Sequence, residues 1–462
     1  MFSFLLNFPI AQTIPSTPAP VEVVQAQQVR SLPGKLDNIP VFNSNSPELV
    51  LEEGILLSTF PAREKKVPSA HLNFAFKGRF DIFAHHVAKA SQPDDLRTLY
   101  LGIILHNPTA QTVTVDVLHA ASYLSQPDAP FIDLPSQITN YFGEVFAGPG
   151  SRVMSDILRK QRQSILPAQL IIPPGESRML LNTPIPVKEL EPPINGRSAL
   201  MRLRSSGKVY AASLAMFAPT DALGNERAPY VKEWQNLLDN GNLAGPRDKT
   251  PTPPEDMEKP IIYGRVSGVA KGSQWNSLVV DRPKKTYLTI PQSGQAFSYG
   301  IATLHRGTLG TNQIQSAPML VRYPDTAYYA HGNYGILYSL HLPLLNKSQK
   351  PQTVKVSLQT PIKEDKLSKD GLRFFDNPDK RVFFRGTVRV RYTDDRGMPR
   401  TTYLHLVQNR GEKGEALVMM NMKANSKRLV EVDLLYPPDA TPPQVLTVET
   451  MGIGLGGIGN NN

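Results

Sequence analysis

Gln111-Thr-Val-Thr-Val-Asp-Val117 alternates apolar and polar side chains, and the same grammar returns as Gln352-Thr-Val-Lys-Val-Ser-Leu358. A period of two marks a strand that buries one face and wets the other. Leu105-His-Asn107 precedes the first run. Leu344-Leu-Asn346 precedes the second, with two extra loop residues between. Further upstream, Phe83-Ala-His85 is echoed by Tyr329-Ala-His331. Three matches in one order suggest an internal duplication. The expected fold is therefore all-β: two β-sandwich-like halves, with a few short helices in insertions and in a connector.

Working outward, further strands are expected at 98–105, 112–119, 169–172, 178–182, 199–203 and 209–217, punctuated by Asn-Pro, Pro-Pro-Gly and Ser-Ser-Gly turns. Ser151 is a candidate N-cap for a helix carrying Val153, Met154, Ile157 and Leu158, with Pro167 beyond its end. Pro229 starts a second helix through Trp234, Leu237 and Leu238, stopped by Gly241. The organisation read from this is a signal-peptide remnant at 1–12 and a Pro/Gln-rich linker at 13–38. A first half at 39–220, a helical and Pro-rich connector at 221–260 and a second half at 261–450 follow. A Gly/Asn tail at 451–462 closes the chain.

Composition narrows the class. The chain has 462 residues, 42 of them proline, nearly twice the usual share of roughly 5%. Proline breaks helix interiors and suits edges and turns. There is no cysteine, so no disulfide, thiolate nucleophile or zinc–thiolate site is available. No apolar run reaches the roughly 18 residues of a spanning helix. Phe2, Phe4, Leu5, Leu6, Phe8 and Ile10 precede a Thr/Pro/Ser/Ala tract, as at the end of a secretory leader. The first basic residue is Arg30, so a few upstream residues are expected to be missing. The net charge of +10 is local: residues 346–428 hold 19 Lys and Arg against 9 Asp and Glu.

Enzymatic motifs fail on context. Ala296-Phe-Ser-Tyr-Gly300 lacks the first glycine of a nucleophile elbow, and no helix pattern follows. Ser205-Ser-Gly-Lys208 has serine–lysine spacing but reads as a turn between two strands, not a helical turn. Gly452-Ile-Gly-Leu-Gly-Gly457 matches a dinucleotide fingerprint with no helix after it. Residues 71–86 read as a hairpin about Phe76-Lys-Gly78, which places Leu72, Phe74, Phe80 and Ile82 on one face. That register brings His71 and His85 together with Asp81 nearby, a weak candidate metal set beside the reading of a hydrogen-bonded strand face. No cofactor is implied.

The more informative feature is Arg385-Gly-Thr-Val-Arg-Val-Arg-Tyr392. Val388, Val390 and Tyr392 alternate with Thr387, Arg389 and Arg391, and Arg385 shares the arginine parity. One face is expected to be core and the other a row of guanidinium groups, with Arg381 and Arg396 close in sequence. Such a face concentrates anions through long-range attraction that salt screens. Tyr323, Tyr328, Tyr329, Tyr334 and Tyr338 could add a platform for sugar rings, or serve as strand core with wet edges. No basic helix or aromatic RNA signature points to nucleic acid.

Several segments together resemble a cyanobacterial family of exported proteins, the domain of unknown function number 3370. They are Val41-Phe-Asn-Ser-Asn-Ser-Pro47, residues 69–76, residues 80–86, Thr303-Leu-His-Arg-Gly-Thr-Leu-Gly310 and residues 317–326. The resemblance spans about residues 35–450 and implies a periplasmic, outer-membrane-associated or extracellular setting. It brings no activity, cofactor or catalytic residue. The resulting expectation is a non-enzymatic envelope or secreted protein binding an anionic polysaccharide through Arg381, Arg385, Arg389, Arg391 and Arg396. The alternatives are a glycan-active or other hydrolase with dispersed His, Asp and Glu residues, and a purely structural module.

Overall fold

The computed structural model describes residues 20–92 and 94–452. The apolar segment 1–12 and residues 453–462 of the tail lie outside them. The fold is all-β, with two α-helices among the described residues, α1 (Pro149–Leu158) and α2 (Val231–Asn240).

In the first half, strands Phe76–Lys89 and Val113–Leu124 pair with the opening stretch of Ile194–Phe217. Its closing stretch pairs with Gly54–Ser58 and Leu99–His106 in the facing sheet. One 24-residue strand thus serves both layers. It bends at a bulge between Ser205 and Val209, opposite Gly78, whose φ of 74° is the left-handed value glycine tolerates. Between the layers, Phe80, Ile82 and Ala84 meet Leu101, Ile103 and Leu105. Outside the second layer lies α2, with Trp234 and Leu238 buried against Ile55, Ile104 and Leu214. Gly102 is required there, because a Cβ would stand 2.8 Å from the Trp234 ring.

The second half stacks an eight-stranded sheet on a five-stranded one. Val388, Val390, Leu404, Leu406, Val430 and Val432 pack against Val354, Val356, Leu446 and Val448. The halves are fused by backbone. Strand Pro40–Ser44 pairs with 76–89 on one side and with Ser267–Lys271 on the other. Helix α1 is wedged at the seam. Val153, Met154, Ile157 and Leu158 touch Phe83, Ala121 and Leu200 of the first half, and Leu435 with Leu337 and Tyr403 of the second. Nearly every α1 residue is buried, as expected of a helix with sheets on two sides.

The halves repeat one hydrogen-bond device. Asn107 donates from Nδ2 to the carbonyls of Gln111, Ile172 and Pro173 at 2.7, 2.9 and 3.1 Å, and its Oδ1 accepts from Thr109. Asn346 donates to Lys350, Met422 and Lys423 at 2.9, 3.1 and 3.1 Å, and its Oδ1 accepts from Ser348. Strand order around each knot is the same. Leu99–His106, Val113–Leu124, Gln169–Ile172 and Ser177–Ile185 correspond to Leu337–Leu345, Gln352–Gln359, Ala416–Met422 and Lys427–Leu435. Both halves carry a long insertion before the third of these strands. The two insertions meet, because Gln137–Thr139 of one pairs with Pro399–Asn409 of the other.

Local reading erred where long-range pairing won. Residues 71–86 are not a hairpin: Gly78 sits inside the continuous strand 76–89, held along its length by 194–217. Leu72 and Phe74 instead bond to the backbone of Ser58 and Thr59. Ser205–Lys208 is the facing bulge rather than a turn. Ser151 is not the N-cap; Pro149 opens α1, and the Ser151 hydroxyl bonds back to Ala147 and Gly148. The 13–38 linker contains three strands, Glu22–Ala26, Gln28–Arg30 and Lys35–Leu36. They pair with 371–375, 297–299 and 275–276, all in the second half.

Asn107→Ala and Asn346→Ala should each cost about 2–4 kcal/mol, since several buried carbonyls lose their donor at once, and urea unfolding reads this directly. Acid should also destabilise the fold. Burial lowers the pKa of His71 and His405 to about 4 and of His86 and His331 to about 3. The unfolded chain therefore binds protons that the native state refuses. Stability falls as pH drops below the unfolded value of about 6.5, by up to about 2 kcal/mol per imidazole at pH 5. Asp81 and Asp439, raised by burial, work in the opposite direction. Thermal midpoints at pH 8 and pH 5 should show the net loss.

Candidate functional site: the cationic sheet face

Strand Val382–Thr393 sits in the eight-stranded sheet between Pro399–Asn409 and Lys427–Leu435. Its alternation is as read: Phe384, Val388 and Val390 are core, and Arg385, Arg389 and Arg391 share the other face. That face is not an open cationic row. Arg389 stands opposite Asp433 and donates to its carboxylate at 3.0 Å, while Arg391 reaches Glu431 and Asp433, both at 3.2 Å. Ser339 donates to Asp433 at 2.6 Å, and His341 lies 2.9 Å from Glu431. The charges thus form a neutralised ladder across three strands.

The inner end of the row is also covered. Helix α1 and its flanking loop lie over it. Arg159 stacks 3.9 Å above the Tyr403 ring, and Asn140 donates to Thr387 at 3.1 Å. Arg385 points at the Phe131 ring, 5.1 Å away. Arg381 is bonded to Asp379. Arg396 occupies the exposed 394–398 hairpin turn, which Asp394 organises by accepting from the backbone of Arg396 and Met398. Arg385, Arg389 and Arg391 do share one face, but Arg389 and Arg391 are already paired with carboxylates, so the expected ligand set of these three with Arg381 and Arg396 is corrected. Alternation identifies a face, but Glu431-Val-Asp433, with matching parity on the neighbouring strand, supplies the counter-charges.

The candidate metal set is also dispersed. His71 bonds to Ser58 at 2.8 Å, His85 to Ser198 at 2.8 Å, and Asp81 pairs with Arg79 and Arg202. Without the hairpin nothing brings them together, and no group of three His, Asp or Glu residues among those described could hold a metal ion. Ser298 is buried and bonded to Gln27 and Thr447 within a strand, not raised on an elbow.

The same sheet face carries a different cationic group at its open end. Tyr287 is ringed by Lys285, Lys347 and Lys427, whose Nζ atoms lie 5.7, 4.6 and 5.5 Å from the ring centroid. Lys427 sits opposite Leu345 at the end of its strand, and Leu288–Thr289 pairs beside it, which fixes Tyr287 over the lysines. One carboxylate joins them. Asp281 accepts from Thr289 and stands 3.6 Å from Lys347. Slight burial opposes ionisation of the Tyr287 phenol, but the Lys285 and Lys347 ammonium groups bring its pKa below the ordinary value. Leu278 and Leu429 are exposed on this face, 57% and 46% accessible. The three lysines come from distant segments. The charge excess of 346–428 signalled two of them, and Arg282-Pro-Lys-Lys285 was an unread signal for the third.

If the arginine ladder is structural, Asp433→Ala should destabilise the protein by about 3–5 kcal/mol, because two guanidinium groups lose a buried partner. Arg391→Gln, at the half-exposed end, should cost about 1 kcal/mol or less. Urea unfolding of both variants separates these outcomes.

No curated protein matches the chain. Its similarities to solved structures are weak. Lac15 from a marine microbial metagenome is 10% identical with a TM-score of 0.10, over 81% of this chain and 53% of that one. The chain thus spans about half the length of Lac15. The coconut allergen cocosin is 8% identical, TM-score 0.10, over 88% and 86% of the two chains. Procruciferin, an 11S globulin from Brassica napus, is 9% identical, TM-score 0.10, over 87% and 85%. The family comparison is decisive: residues 27–450 match a protein family of unknown function, DUF3370, and the chain belongs to it.

Proposed function

We propose that this chain is an exported, non-enzymatic protein of the cell envelope or secreted space that binds an anionic polysaccharide on the open end of the cationic sheet face. The observation that carries this reading is the convergence of Lys285, Lys347 and Lys427 on Tyr287, with Asp281 the one carboxylate in ion-pairing range among the described residues. A face that merely keeps a protein soluble spreads its lysines apart. Three ammonium groups held around one ring repel each other, and a bound polyanion relieves that repulsion along its length. Tyr287, Leu278 and Leu429 add apolar area for the carbon–hydrogen faces of sugar rings. The arginine ladder keeps a supporting role, since it fixes the register of the strands that carry the lysines.

The test is co-sedimentation of the full chain with a polyuronate and with a neutral polysaccharide. Binding should favour the polyuronate and weaken as salt rises. Lys285→Glu, Lys347→Glu and Lys427→Glu combined should lower it by about tenfold or more. Equal binding to both polymers, or an unchanged triple variant, rejects the reading.

A further inference from the structure

A second site lies away from that face, in a cleft of about 430 Å³ where the two halves meet. The volume falls within the usual range of ligand pockets, roughly 300–1,000 Å³. Asn43 and Asn45 reach it from the strand that fuses the halves and the turn just after it, and His331 and Lys363 from the second half. Asn43 Oδ1, Asn45 Oδ1 and His331 Nδ1 are all buried without a hydrogen-bond partner in the protein. Folded proteins seldom leave such atoms unmade, and here three belong to residues that line one cavity. The fold does satisfy polar side chains at this spot when it needs to. Neighbouring Asn333 donates to Gln315 and Tyr338 and accepts from Ala317.

The charges at the cleft are uneven. Arg265 is engaged with Glu48, and Asp248 accepts from the Ser46 hydroxyl. Lys249 and Lys363 line the cleft with no carboxylate in ion-pairing range among the described residues; the Lys363 ammonium donates to the Tyr263 hydroxyl at 3.2 Å and lies 4.9 Å from the centre of that ring. The His331 ring packs 4.7 Å from the Tyr263 ring at a tilt of 57°, which holds it at the wall.

We infer that the cleft binds a small hydroxylated carboxylate of the sugar-acid class, its carboxylate toward Lys249 and Lys363 and its hydroxyls toward Asn43, Asn45 and His331. Hydroxyls suit these positions because each can donate to an amide oxygen and either donate to or accept from an imidazole nitrogen. A bare anion would leave the amide oxygens unmet, and a neutral sugar would leave the ammonium groups unpaired. The site is independent of the lysines around Tyr287.

The experiment is calorimetric and NMR titration of the full chain with D-glucuronate, D-glucose and acetate. Glucuronate should bind at least about tenfold more tightly than either comparator. Lys249→Met with Lys363→Met should remove that advantage without moving the thermal midpoint, since both lysines are exposed. Asn45→Ala should weaken glucuronate and glucose alike. The triple glutamate variant of the sheet face should bind glucuronate as well as the parent, which separates this site from the polysaccharide reading. Absence of glucuronate binding at about 20 mM, affinity no better than acetate, or a double lysine variant that binds unchanged would each overturn the inference, leaving a cleft that holds water only.

Discussion

Each half of the molecule has a sheet whose outer face would otherwise lie open, and helix α1 covers both at once. Everything on the seam follows from that shared cover. The one carboxylate of the helix, Asp156, accepts from Tyr123 of the first half, so it is not spent on the arginines of the second half's sheet. Guanidinium groups at its margin must find carboxylates on their own sheet, and Asp433 and Glu431 provide them. Beyond the reach of the helix three lysines gather around Tyr287, with Asp281 beside Lys347. One packing constraint thus sorts the basic residues of a single face into a structural set and an available set.

The repeated asparagine knot explains how two halves with little sequence in common keep the same plan. One side chain ties three carbonyls belonging to two different strand ends, so each knot fixes a loop and the strand beside it in one step. The segments between knots are then free to diverge. One half carries α1 and its flanking loop at this point, the other carries the arginine hairpin at the corresponding point, and the two segments meet through a shared strand pair.

Much of this was legible before any coordinates. The strands at 98–105 and 169–172, both helices and the echo of Leu105-His-Asn107 in Leu344-Leu-Asn346 all follow from local pattern and punctuation. What escaped were features decided by residues far away in the chain. Gly78 and Ser205–Lys208 look like turns taken singly; only their pairing shows one to be a strand position and the other the bulge facing it. The arginines look free until Glu431 and Asp433 are brought alongside by pairing. The seam cleft has no local signature, because its walls come from segments separated by most of the chain.

The N-terminal strands carry a consequence for biosynthesis. Residues 22–36 are made long before their partners at 275–276, 297–299 and 371–375. These strands cannot take their native pairing until most of the polypeptide has been made. Loop-closure entropy on that scale favours slow, late assembly over sequential domain-by-domain maturation. Neither half is then a natural excision product: cutting in the connector would strand three strands of the later half on the wrong fragment.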